Sequence, residues 1–146
     1  MQDIKISNKE LIISAVEIAK EAGKAIKEIY NSDFDYQLKQ DLSPITAADN
    51  LSHKIIAERL QTLTPETPIL SEENCDIPYK IRSQWVKYWL VDPLDGTKEF
   101  IKRNGCGVKC YLGHFCMTGH TCTNLFIGGI IFVTAAITRH DVFNSF

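Results

Sequence analysis

Between Ser7 and Asn31 the apolar residues Leu11, Ala15, Ile18, Ala22, Ile26 and Ile29 recur at intervals of three and four. That spacing lines one face of a helix. Ser7-x-x-Glu10 at its start is a capping box, in which two side chains satisfy N–H groups that no helical carbonyl reaches. The pattern predicts a core-forming helix of about six turns ending near Asn31. Phe34, Tyr36 and Leu38 then alternate with Asp35, Gln37 and Lys39, the period of a short, half-buried strand. Residues 40–46 contain Ser43-Pro44 and read as a loop, because the residue before a proline is pushed away from helical angles. A second helix is expected over residues 47–63, with Ala48, Leu51, Ile55 and Leu60 on one side and Thr64-Pro65 as its stop. A short apolar run at residues 68–70 precedes the acidic pair Glu72 and Glu73. The run at residues 86–91 predicts a strand buried on both faces. Residues 92–97 close that strand, and residues 98–103 begin a helix. Helices and strands in alternation, with chemistry-bearing residues at strand ends, point to an α/β or layered α+β domain.

Composition divides this pattern in two. The chain has 146 residues, 16 Lys+Arg and 18 Asp+Glu, a formal charge of −2 and a pI near 6.1. This balance excludes a protein held to nucleic acid by phosphate-backbone electrostatics. Yet only Lys109, Arg139 and Asp141 carry charge after Arg103, four of the five cysteines (106, 110, 116 and 122) fall there, and every proline precedes Leu94. The polar first eight residues lack the apolar block of a targeting signal, which together with the odd cysteine count predicts a cytoplasmic protein with free thiols.

Four carboxylates stand at helix starts or strand ends: Asp49, Glu72, Asp92 and Asp95. All-oxygen donors in such positions suit Mg²⁺, and two metals sharing Asp92 would clamp the attacking and leaving oxygens of a phosphoryl transfer. Singly, each has a plainer reading. Asp95-Gly96 is a common turn dipeptide, Asp92 before Pro93 a turn initiator, Asp49 a helix-start carboxylate, and Glu72 with Glu73 a solvated pair. A D-x-D-x-T phosphatase would have one residue between its aspartates, where this chain has two. An EF-hand fails because Leu94 and Gly96 take ligand positions.

In combination the motifs are specific. Asp41-x-Ser43-Pro44-Ile45-Thr46-x-Ala48-Asp49, Leu70-Ser71-Glu72-Glu73, and the run from Trp89 through Asp92-Pro93-Leu94-Asp95-Gly96-Thr97 to Ile101 occur in order. With them the chain from about Leu11 to Gly105 resembles the inositol monophosphatase superfamily. The resemblance implies a layered αβαβα sandwich, of which residues 1–105 would be the N-terminal part, and Mg²⁺-dependent, lithium-inhibited hydrolysis of a phosphomonoester. It implies that Glu72, Asp92, the Leu94 carbonyl and Asp95 bind metal, and that Asp49 and Thr97 orient and deprotonate the attacking water. Glu72, Leu94, Asp95, Gly96 and Thr97 would contact the substrate. Thr97-Lys98-Glu99-Phe100 is similar to the 3'(2'),5'-bisphosphate nucleotidase branch, implying that a small phosphorylated nucleotide, adenosine 3',5'-bisphosphate, is converted to AMP and phosphate. Inositol-1-phosphate hydrolysis is the alternative, and an inactive truncated fragment that only binds a partner or a membrane is another.

The resemblance stops after Gly105. A later Trp-Asp motif, whose aspartate completes the second metal site in the superfamily, has no counterpart here, since no Trp follows Trp89. Residues 106–146 are expected to be a divergent Cys-rich and apolar tail, read most simply as the product of a disrupted frame near Asn104. A zinc site at Cys106-x₃-Cys110 and Cys116-x₃-His120, or peripheral attachment to the inner membrane through the apolar residues 125–137, are the other readings.

Overall fold

The computed structural model describes residues 6–40, 42, 44–74, 76–103 and 109–116. In chain order the elements are α1 (Asn8–Tyr30), β1 (Tyr36–Leu38), β2 (Pro44–Thr46), α2 (Ala47–Leu63), β3 (Ile69–Ser71), α3 (Tyr79–Arg82), β4 (Lys87–Asp95), α4 (Thr97–Lys102) and β5 (Lys109–Cys116). The capping box forms as the pattern predicts: Ser7 N–H donates to Glu10 Oε2 at 2.9 Å and Glu10 N–H to Ser7 Oγ at 3.2 Å.

Two layers make up the core. One is the helix pair α1 and α2; the other is a sheet in the order β3-β4-β5, with β3 parallel and β5 antiparallel to β4. Leu11, Ala15, Ile18, Ala19 and Ala22 of α1 join Ile56 and Leu60 of α2, Trp89 and Val91 of β4, and Cys110 and Leu112 of β5 in one buried cluster. The alanines leave the two helices free to approach closely, and Trp89 fills the space beneath them with its indole N–H donated to Thr64 Oγ1 at 2.9 Å. A second cluster, Ile26, Ala48, Leu94 and Phe100, with the Tyr30 and Phe34 rings 5.2 and 4.9 Å from that of Phe100, packs the strand-to-helix turn after β4 against both helices.

The structure corrects the sequence reading in four places. The stretch expected to be a loop contains β2, which pairs with β1 through Tyr36↔Thr46 and Leu38↔Pro44. A proline is tolerated there because it opens a short strand. Strand β1 is exposed rather than half-buried: all three of its residues are open to solvent, and the buried side of the ribbon is supplied by Thr46 of β2. The buried face of α2 is Ala48, Ser52, Ile56 and Leu60, while Leu51 points outward. Finally, β4 is buried on one face only: Trp89 and Val91 lie under the helices, whereas Leu90 is 43% exposed.

Strand β5 lies beyond the compositional seam at Arg103 and extends the sheet. Among the described residues, no helix is long and apolar enough to cross a membrane. Of the residues read for zinc, Cys110 is a buried free cysteine of the core, while the side chains of Cys106, Cys116 and His120, like residues 125–137, lie outside the described ones.

Candidate active site

The carboxyl ends of β3 and β4 lie side by side because their parallel register pairs Ser71 with Val91. Glu72 N–H continues the ladder, donating to Val91 O at 3.0 Å. The next residues, Glu72 and Asp92, therefore meet although twenty positions separate them, with the Glu72 carboxyl in hydrogen-bonding reach of Asp92. Pro93 then falls in the register shift between Asp92 and Asp95, where its missing N–H is not needed by the β5 ladder. Gly96 follows at φ 93°, a left-handed conformation that strains a side chain and is open to glycine, and it turns the chain into α4.

Asp92 is the electrostatic centre of this edge. Burial first, then the charge and hydrogen bond of Glu72, then the charge of Asp95, push its carboxyl from 3.8 up to about 7, with a backbone hydrogen bond from Leu94 pulling the other way. Its Oδ1 is buried and has no hydrogen-bond partner among the described residues. A buried carboxylate oxygen with no donor, beside two more carboxylates, is a place short of positive charge, and its all-oxygen surroundings fit a hard divalent cation. Among the described residues no three His, Cys, Asp or Glu side chains are already gathered as a cage. The oxygens that would be available to such an ion are those of the Glu72–Asp92 pair, of Asp95 on the exposed edge and of the Leu94 backbone carbonyl.

A second network meets the first at Leu94. Asp49 is 1% exposed and is the third residue of α2, where it closes a capping box with Thr46. Its Oδ2 accepts from Thr46 N–H at 2.7 Å and Thr46 Oγ1 at 2.5 Å. Its Oδ1 accepts from Thr97 Oγ1 at 2.9 Å. Thr97 Oγ1 also lies 3.2 Å from the Leu94 carbonyl. One hydroxyl has one proton, and the shorter bond, to the carboxylate, takes it, which leaves the Thr97 lone pairs and the Leu94 carbonyl without that proton.

The residues singled out by sequence thus fall into two groups that meet at Leu94, Glu72 with Asp92 and Asp95, and Asp49 with Thr97 and Leu94, with Gly96 in the turn between Asp95 and Thr97. Others had no local signal. Lys39 Nζ is 2.8 Å from Glu73 Oε2 and 3.5 Å from Glu72 Oε1. Burial opposes its charge, but the hydrogen bond and charge of Glu73, then those of Glu72, raise its pKa above the usual 10.5. Glu73, expected to be solvated, has a side chain only 5% exposed. His53 Nδ1 stands 2.8 Å from Ser71 Oγ, one residue before Glu72. Beneath Asp92, burial and then the Asp92 charge raise the Cys110 thiol to about 12, which makes it an unreactive core residue. A cavity of about 630 Å³ between α2 and β3, lined by His53, Ser71 and Asn74, contains none of the carboxylates; these sit on the open end of the sheet.

The layered helix-and-sheet fold, with carboxylates at the ends of two parallel strands, places the chain in a class shared with known proteins. The inositol monophosphatase family model matches residues 7–118, and the chain belongs to that family. The 3'(2'),5'-bisphosphate nucleotidase CysQ of Salmonella typhimurium is 55% identical over 91 residues, covering 61% of this chain and 37% of that protein. The crystal structure of CysQ from Bacteroides thetaiotaomicron is 41% identical with a TM-score of 0.54, over 69% of this chain and 36% of that one. That of the extragenic suppressor protein suhB from Bartonella henselae gives a TM-score of 0.60 at 26% identity, over 72% and 42%. The chain therefore spans a little over a third of the length of the curated relatives it matches.

Proposed function

We propose that this chain carries the first half of the catalytic machinery of a Mg²⁺-dependent 3'(2'),5'-bisphosphate nucleotidase, which hydrolyses adenosine 3',5'-bisphosphate to AMP and phosphate. The observation that carries the reading is the buried, donorless Asp92 Oδ1 beside Glu72, with the Asp49–Thr97 hydrogen bond one turn away. Identity to CysQ supports the nucleotide over an inositol phosphate. Glu72, Asp92, Asp95 and the Leu94 carbonyl would hold Mg²⁺, which lends positive charge to the phosphoryl oxygens when bound. Because the Thr97 proton is directed to Asp49, the Thr97 oxygen is left to accept a hydrogen bond from the attacking water. As that water attacks phosphorus in line with the ribose 3'-oxygen, its proton passes to Thr97 and the Thr97 proton to Asp49. The P–O bond to the ribose breaks, and the leaving oxygen takes a proton from solvent. Gly96, lacking a Cβ, leaves room for the phosphate against the backbone N–H groups of Gly96 and Thr97.

The test is phosphate release from adenosine 3',5'-bisphosphate and inositol 1-phosphate, each with Mg²⁺ and with chelator. The expected result is Mg²⁺-dependent release, greater from the nucleotide and at least about 100-fold lower in Asp92→Asn. Equal release by that variant, or preference for the inositol phosphate, overturns the assignment. Absence of any release favours a chain that only binds.

A further inference from the structure

Four carboxylates, Glu72, Glu73, Asp92 and Asp95, crowd the ends of β3 and β4, and Lys39 meets two of them, Glu73 and Glu72. Its contacts are unequal. Both Glu73 oxygens lie close to Nζ, Oε1 at 2.9 Å and Oε2 at 2.8 Å, whereas Glu72 Oε1 is at 3.5 Å. Glu73 has a side chain 5% exposed, while that of Glu72 is 54% exposed. Stripping the cation from a buried carboxylate is expensive, and loosening a half-exposed pair is not. Lys39 follows β1 in the chain, and through Glu73 it is pinned to a turn 34 residues away.

We propose that Lys39 is a tethered counter-ion of the carboxylate site: anchored on Glu73, it neutralises Glu72 in the metal-free protein and yields Glu72, but not Glu73, to an incoming divalent cation. The inference rests on the reading that Glu72 and Asp92 hold such a cation. Without Lys39, two carboxylates in contact would repel and Glu72 would swing into solvent. With it, the pair stays together before metal arrives, and an ammonium within 3.5 Å of a ligand opposes a dication. Lys39 is a positioning residue that trades metal affinity for a site already assembled.

Mn²⁺ is a suitable probe, its free concentration followed by electron paramagnetic resonance during titration of the full chain near pH 7.5. Lys39→Met is expected to bind Mn²⁺ about tenfold tighter. Lys39→Arg keeps the charge and stays within about twofold of the parent. Glu73→Gln releases Lys39 onto Glu72 and weakens binding severalfold. Thermal melts supply a second readout. Lys39→Met lowers the metal-free midpoint more than the Mn²⁺-saturated one, whereas an ion pair of purely structural value lowers both equally. Unchanged or weaker Mn²⁺ binding in Lys39→Met, with Asp92→Asn impaired, overturns the role of Lys39 and leaves the carboxylate site standing. Should Lys39→Met not fold, parent-like binding by Glu73→Gln overturns it instead. If Asp92→Asn binds Mn²⁺ as the parent does, the carboxylate reading itself fails.

Discussion

At the scale of single residues the molecule turns on Asp92, whose Oδ1 has no donor among the described residues and whose proton is held to about pH 7. A carboxyl that titrates near 3.8 unfolded and about 7 folded binds more proton in the folded state between those values. Stability of the metal-free protein is therefore greatest below about pH 4 with respect to this group, and its contribution is lost as pH rises toward 7. Thermal midpoints measured in chelator from pH 4 to 8 should fall more steeply for the parent than for Asp92→Asn, with the two curves parallel above pH 7. The same linkage means that cation binding below pH 7 expels the proton, so Mg²⁺ should restore the midpoint at neutral pH and do little at pH 4.

At the scale of elements, the start of α2 joins folding to chemistry, since Asp49 both closes the capping box and accepts from Thr97. Thr46→Ala removes one hydroxyl that bonds Asp49 and caps Ala48 N–H; it should cost about 1–2 kcal/mol in urea unfolding, and Thr46→Ser should recover most of it. The two long helices are legible in sequence to within a residue because a 3.6-residue period, the capping box of α1 and the Thr64-Pro65 stop of α2 are local signals. Strand β2 is not, because Pro44 signals a turn and its partner Leu38 lies across the loop. The outward Leu51 was misjudged for a related reason: the α2 face is set by Ser52 and Ala48, small residues that hydropathy undervalues but that let α1 approach. For the site, the motifs named Asp49, Glu72, Asp92, Asp95 and Thr97 through resemblance, and only their contacts awaited the fold. Lys39 and Glu73 could not be paired from sequence, since nothing local links positions 34 residues apart.

At the scale of the whole molecule the sheet has two unlike faces. Trp89 is fully buried under the helices and Leu90, its neighbour in β4, is 43% exposed. Trp89→Ala should cost about 3–5 kcal/mol. Leu90→Lys should stay within about 0.5 kcal/mol in the same unfolding measurement. Failure of that contrast would mean the second face is covered. The parallel pairing of β3 with β4 has a consequence of another kind. Side chains alternate along a strand, so a slip of one residue between Ser71 and Val91 would turn Glu72 to the opposite side of the sheet from Asp92. The two carboxylates can touch only when the strands are aligned correctly. A cation that needs both would reward the right alignment and no other, acting during folding as a proofreader of the sheet before any substrate is met.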